Sequence, residues 1–296
     1  MTNNKTTEVV KKAKRNTWRT NPKIINKIPY DEQKIIMYVD ESGEGNKKVL
    51  KRSFEAKKNN EPYQQRNDLY ILNGVILSGH DSFLLKNRME KFKRSITKDG
   101  TFCYPGKGIR PIVLRNSDIN SHKAPFEHLN EKNFETLNKI IKTTNYIQIA
   151  AGLNYYYYTQ NKNESSEVDS SPLLMSLGLL LVNYADYLNS VNKKGIIIFE
   201  EETEKHDTMK LNYILKVLKF GNKTYNKDFF SNITAVYFRK KWTEEAKDNF
   251  VTTVGLELAD LTISPLRRML DPEYLIIERK LYNYPNFVKK GFSVIT

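Results

Sequence analysis

The chain has 296 residues, 39% hydrophobic and 28% charged: enough apolar mass for one large domain or two small ones, and too much charge for a membrane protein. No run of about 18 apolar residues predicts a spanning helix, the polar start of the chain lacks the apolar segment of a secretory signal, and the single cysteine, Cys103, excludes an internal disulfide or a multi-cysteine zinc site. These features make a reducing, cytoplasmic setting the expectation, and the formal charge of +14 favours a polyanionic partner, nucleic acid first, although the Lys-, Asn-, Ile- and Tyr-rich composition alone would produce part of that charge.

Residues 1–33 carry eight Lys or Arg against three acids and few apolar side chains, and are expected as a basic N-terminal extension ahead of one domain over 34–296. Lys34 to Val39 is a near-continuous apolar run, as expected of a strand covered on both faces, and stops at the turn-rich Asp40-Glu41-Ser42-Gly43. A short strand is expected near Val49 to Phe54 and a longer one over Leu69 to Leu77. A basic helix follows over Asp81 to Ile96, with Lys86, Lys93 and Arg94 as candidate phosphate contacts. Residues 99–131 read as irregular, Phe134 to Lys142 as helix, and Tyr146 to Tyr158 as a strand whose terminal tyrosines could stack on bases. Pro172 opens a helix to about Ser190. Strand Ile196 to Phe199 ends in Glu200-Glu201-Glu202. A helix over Asp207 to Phe220, a strand over Ile233 to Phe238 and a helix over Thr253 to Leu270 complete the pattern. Helices alternating with strands after several early strands predict an α/β fold with a mixed sheet flanked by helices, carrying an insertion over about 97–170.

Three acids stand where acids are locally unusual. Asp40 follows five apolar residues at a strand end, the edge where α/β folds place ligands; the same tetrapeptide is also plain turn chemistry. Glu200 ends the second buried strand, with Glu201 the alternative, because strand side chains alternate faces. Asp260 shares a helix face with Leu256 and Ile263, where an unpaired carboxylate would cost several kcal/mol, so it needs a cation or strong hydrogen bonds. Lys240, Lys241, Arg267 or Arg268 could supply a purely structural partner. Two carboxylates about 4 Å apart repel by about 4 kcal/mol at an effective dielectric of about 20. A hard divalent cation, Mg²⁺ or Mn²⁺, relieves that repulsion and serves phosphodiester hydrolysis without a His, Cys or Ser nucleophile.

Tyr38-Val39-Asp40-Glu41-Ser42-Gly43 resembles the opening motif of the DUF3800 family. Gly255-Leu256-Glu257-Leu258-Ala259-Asp260-Leu261, with Ser264-Pro265-Leu266-Arg267-Arg268 after it, resembles the closing motif, in which Gln is usual where Glu257 stands. Ile197-Ile198-Phe199-Glu200, with Asp207 seven residues on, resembles the middle motif, although Glu201-Glu202-Thr203 replaces its usual Ser-Arg-Gly. The resemblance spans roughly residues 34–280. It implies a ribonuclease-H-like, metal-dependent nuclease in which Asp40, Glu200 and Asp260 bind Mg²⁺ or Mn²⁺, with Glu41 beside them as a further expected metal ligand and Asp207 in support. Lys240 or Lys241 would face the scissile phosphate, Lys240 being taken as catalytic and Lys241 and Arg267 as nucleic-acid contacts. Glu257 is expected either as a fourth ligand or as a solvated residue. The alternative expectation is a non-catalytic nucleic-acid-binding module with a degenerate site, which the altered middle motif favours. The four histidines lack zinc spacing, and His206, near the middle motif, is expected at a helix start.

Overall fold

A computed structural model of the chain describes residues 34–43, 47–62, 69–106, 108–154, 171–246, 249–270 and 287–295. The basic extension expected over 1–33 and the tyrosines at 155–158 lie outside the described residues.

Five strands build a mixed sheet: β1 (Lys34–Ser42), β2 (Leu69–Ser78), β5 (Ile147–Asn154), β6 (Lys194–Glu200) and β7 (Ile233–Arg239). Their order is β5-β2-β1-β6-β7, and β10 (Phe287–Ile295) adds a sixth strand beside β5. β2 runs antiparallel to β1 and to β5, whereas β6 is parallel to β1 and β7 parallel to β6. Helices cover both faces, so the fold is α/β. Among the described residues no helix is long and apolar enough to cross a membrane.

The period of two along each strand sorts the side chains into two cores. Met37, Val39, Ile197 and Phe199 face α5 (Pro172–Ser190) and α6 (Glu204–Phe220), packing on Leu177, Leu181, Tyr184 and Ile214. Ile36, Tyr38, Ile196, Ile198 and Tyr237 face the opposite way, against α2 (Gly79–Ile96), α4 (Glu131–Thr143) and α7 (Val254–Leu270). Continuing that alternation sends Asp40 and Glu200 to the α7 side. The register Val39↔Phe199 makes them neighbours at the carboxyl ends of adjacent parallel strands.

α7 lies tight on the sheet. A Cβ on Gly255 would stand 2.2 Å from the Tyr38 ring, so only glycine permits this crossing. One turn on, Asn73 of β2 donates to the Ala259 carbonyl (2.8 Å) and Thr262 Oγ1 (2.9 Å), while Gln148 of β5 donates to Asn73 Oδ1 (2.8 Å). At the far end Arg267, 1% exposed, donates to the Leu69 carbonyl at 2.6 Å. Gly43, with φ +95°, turns the chain beneath that same carbonyl, which a Cβ would approach to 2.0 Å.

Three expectations are corrected. The segment expected as a strand near Val49 to Phe54 lies in a helix, α1 (Lys47–Lys58). Leu50 and Ser53 are buried three apart, Lys51 and Arg52 are exposed, and Lys51 pairs with Glu55 one turn on, which is helical spacing. The insertion expected over 97–170 is narrower, because β5 sits inside the main sheet and α4 packs its apolar stripe into the α7-side core. Among the described residues of this stretch, a hairpin, β3 (Thr101–Tyr104) with β4 (Gly108–Pro111), and the short helix α3 (Asn116–Asn120) stand apart from the main sheet. A second hairpin, β8 (Trp242–Ala246) with β9 (Asn249–Thr252), joins β7 to α7 and was not expected.

Candidate active site

The carboxyl ends of β1 and β6 open into a cleft of about 420 Å³, closed on one side by α7 and on another by residues 116 and 117. Asp40, Glu200 and Asp260, far apart in sequence, all line it, together with Glu41, Glu202, Lys210 and Lys241.

The three expected acids converge on one ammonium. Lys241 Nζ lies 3.2 Å from Asp40, 3.0 Å from Glu200 and 2.5 Å from Asp260; it donates hydrogen bonds to Asp40 and Asp260 and forms an ion pair with Glu200. Lys241 is 4% exposed. Burial works against its charge, but Asp40, Asp260 and Glu200 outweigh burial and hold its pKa above the ordinary lysine value. Burial raises the pKa of Asp40; Lys241 opposes the shift and Glu200 adds to it. Asp260 is raised by burial and by Asp40, against Lys241. The Asp40 carboxylate also accepts from the Glu41 amide (2.9 Å), and Asp260 Oδ1 from the Asn116 amide (3.2 Å).

A second ammonium neighbours the first. Lys210 of α6 pairs with Glu202 and, at 3.4 Å, with Glu41, whose carboxylate also accepts from the Tyr70 hydroxyl at 2.7 Å. Burial raises the pKa of Glu41 against Lys210. For Glu202 the balance reverses: Lys210 and His206 outweigh burial and lower it.

The donor set suits a hard divalent cation in type and charge. Three carboxylates against one ammonium leave two formal negative charges, and three once Lys241 is displaced. The spacing, however, is that of hydrogen bonds to nitrogen, about 1 Å wider than the roughly 2.0–2.1 Å oxygen shell of Mg²⁺. Accordingly, among the described residues no group of three or more His, Cys, Asp or Glu side chains is set to hold a metal as it stands. An ion at this point would require Lys241 to swing aside and the carboxylates to close in.

Other expected residues fall elsewhere. Lys240 is exposed and does not line the cleft; Lys241, expected as a nucleic-acid contact, takes the central position instead. Glu200 rather than Glu201 enters the site, as strand alternation requires. Lys93, expected as a phosphate contact, is fully buried and pairs with Glu257 at 2.9 Å. Glu257 is accordingly neither a ligand nor solvated: it is buried, and its second oxygen accepts from the Leu114 amide at 2.8 Å. Arg267 is occupied beneath β2 and cannot serve nucleic acid. Asp207 is buried at the start of α6, where it accepts from the Glu202 amide at 3.2 Å, and it supports that loop rather than the cleft. His206 stands in the first turn of α6 beside Glu202. Lys86 and Arg94 are exposed on α2, as a phosphate contact would need.

Lys210, Glu202, Asn116, Ser264 and Arg115 were missed. Lys210 carried a signal, because it lies in the stripe Asp207, Leu211, Ile214, Val217 that α6 buries, where a lysine is as anomalous as Asp260 on α7. Ser264 lies one turn beyond Asp260 on the same face and its hydroxyl accepts from the Asn116 side-chain amide (2.6 Å). Nothing local marked Asn116 or Arg115. No family model matches the chain, and neither the curated proteins nor the solved structures give a match. The DUF3800 resemblance therefore rests on the motifs quoted above.

Proposed function

We propose that the cleft is the active site of a metal-dependent nuclease that hydrolyses phosphodiester bonds of RNA or DNA. One observation carries this reading: carboxylates from β1, β6 and α7, 160 and 60 residues apart in sequence, meet at one point in an open cleft, with two negative charges in excess. The sheet order supports the ribonuclease-H-like part of the reading. Its first three strands are antiparallel neighbours, and its fourth and fifth run parallel to the first, as such a sheet does.

Asp40, Glu200 and Asp260 would hold Mg²⁺ or Mn²⁺, which when bound supplies Lewis-acid activation of a phosphate and of the attacking water. The chain's own residues do the rest. The backbone amides of Glu41 and Asn116 orient the Asp40 and Asp260 carboxylates. Lys241 neutralises one charge of the cluster, and once displaced its ammonium is within a side-chain swing of a phosphate in the cleft. Tyr70 and Lys210 hold Glu41 and Glu202 back against the cleft wall.

The test is cleavage of labelled single-stranded, duplex and hybrid oligonucleotides with Mn²⁺, Mg²⁺ or chelator, for wild type and Asp260→Asn. The amide is isosteric and still accepts from Asn116, so loss of cleavage reports loss of charge. Cleavage that needs metal and falls about a hundredfold or more in the variant is expected. Folded wild type that cuts none of the substrates, or a variant that cuts equally well, overturns the assignment.

One observation favours a second reading, a binding module without catalysis: the ammonium already satisfies the three acids. Calorimetry separates the two. Mn²⁺ heat in wild type supports the nuclease; its absence together with tight oligonucleotide binding supports the module.

A further inference from the structure

Of the residues expected to contact phosphate, Lys93 and Arg267 are buried in the core, Lys86 and Arg94 are exposed on α2 but do not line the cleft, and Lys241 is held by the three acids, so none of them is an exposed cation at the mouth of the cleft. Arg115 is placed there. Its guanidinium lies 3.8 Å from Glu200, and its side chain is 48% exposed. It stands in extended backbone immediately before α3, between two residues that α7 holds by their amides. Glu257 accepts from Leu114 N (2.8 Å) and Asp260 from Asn116 N (3.2 Å); the Asn116 side chain donates to Ser264 (2.6 Å). Three α7 residues at i, i+3 and i+7 thus fasten residues 114–116 along one helix face. Leu114 is fully buried and Asn116 nearly so, while the residue between them projects outward.

The fastening has its own counter-ion. Glu257 could not stay ionised at 0% exposure alone; Lys93 meets it at 2.9 Å and is tied in turn to Thr252 Oγ1 at 2.8 Å.

We propose that Arg115 is the residue that takes a substrate phosphate at the mouth of the cleft, with Glu257 and Lys93 as positioning residues that set it there. The proposal rests on the nuclease reading for its ligand class, a phosphodiester strand. The planar guanidinium suits two phosphate oxygens at once. Glu200 holds it by one long contact at the rim, an arrangement that a phosphate entering the cleft can replace.

The test is fluorescence anisotropy with labelled single-stranded DNA and RNA in chelator, across a salt series, so that binding is read without catalysis. Arg115→Ala is expected to weaken binding about tenfold at low salt and to reduce the slope of log K against log salt by about one contact, with Arg115→Lys restoring most of the slope. The double variant Lys93→Met/Glu257→Leu, which exchanges the ion pair for apolar side chains and so keeps the core filled, is expected to show the Arg115→Ala slope. It should also show at least about tenfold faster hydrogen exchange at the Leu114 and Asn116 amides, which Arg115→Ala leaves unchanged. Wild type that binds but loses nothing in Arg115→Ala overturns the proposal alone. Wild type that binds no oligonucleotide overturns the reading beneath it as well. A double variant that keeps the wild-type slope removes the positioning role from Glu257 and Lys93.

Discussion

Glu257 and Asp260 stand one turn apart on the same helix, each buried, each accepting from a backbone amide and each facing a lysine. Their surroundings differ in one respect. Lys93 meets Glu257 at 2.9 Å and the half-buried Glu90 at 3.4 Å, with Thr252 beside them, in a centre closed off from the cleft. Asp260 shares Lys241 with two further carboxylates and opens into the cleft. A buried carboxylate is thus not by itself a mark of chemistry. Closure from the cleft marks Glu257 and Lys93 as structural, whereas three carboxylates on one ammonium beside an opening are the feature on which the metal-site proposal rests.

The largest expected effect comes from breaking the buried Lys93–Glu257 pair. Lys93→Met leaves Glu257 buried without its counter-ion, and unfolding in urea should show a loss of about 3–5 kcal/mol, with Lys93→Met/Glu257→Leu regaining most of it. Lys241→Met should behave differently, because its loss leaves a cluster that a metal can neutralise. In chelator the variant should be less stable than wild type. In Mn²⁺ at about 100 times its dissociation constant it should gain about 2.7 kcal/mol, visible as a rise in Tm exceeding that of wild type, since no ammonium competes. Equal Mn²⁺ responses in the two proteins would remove the distinction drawn between the centres.

The smallest effect is in pH. Burial raises the pKa values of Asp40 and Asp260, so between those values and the ordinary 3.8 the native state binds protons that the unfolded chain does not. Stability from these groups therefore increases as pH falls into that window. In chelator at neutral pH Asp260→Asn should be more stable than wild type, and the gap should narrow on acidification. A gap independent of pH would mean that Asp260 carries no net penalty for its charge.

Much of the sheet was legible because its strands are unbroken apolar runs with turn residues at their ends, and Asp40 stood out for that reason. Alternation along the strands, once one face is known, also selects Glu200 over Glu201. The same parity, running through Tyr237 and Arg239, points to Lys241 rather than Lys240. The parity was readable, but its reference face was not, because that depends on which helix covers which side. Helix α1 was lost because Val49 and Leu50 look like strand residues until the buried spacing of Leu50 and Ser53 is seen. The pairing of Lys93 with Glu257 joins residues 164 positions apart, and no local pattern distinguishes a lysine that turns into the core from its exposed neighbours on α2. Glu257 itself read equally as ligand or solvated, since its acceptor role depends on a loop amide supplied from residue 114.

α7 is held at three heights: by the Gly255 crossing over Tyr38, by Asn73 on the Ala259 carbonyl, and by Arg267 on the Leu69 carbonyl. A slide of one residue along the helix axis would break all three. The backbone positions that carry Asp40, Glu200 and Asp260 are therefore inherited from the sheet and from the packing of α7 on it. Lys241 follows β7 at the start of a hairpin, where its carbonyl accepts from the Thr253 amide at 2.7 Å, so its backbone is fixed while its ammonium meets the three acids. Under the metal-site proposal, entry would be a contest with this one buried side chain, and the rate of loading would follow how often that lysine lets go.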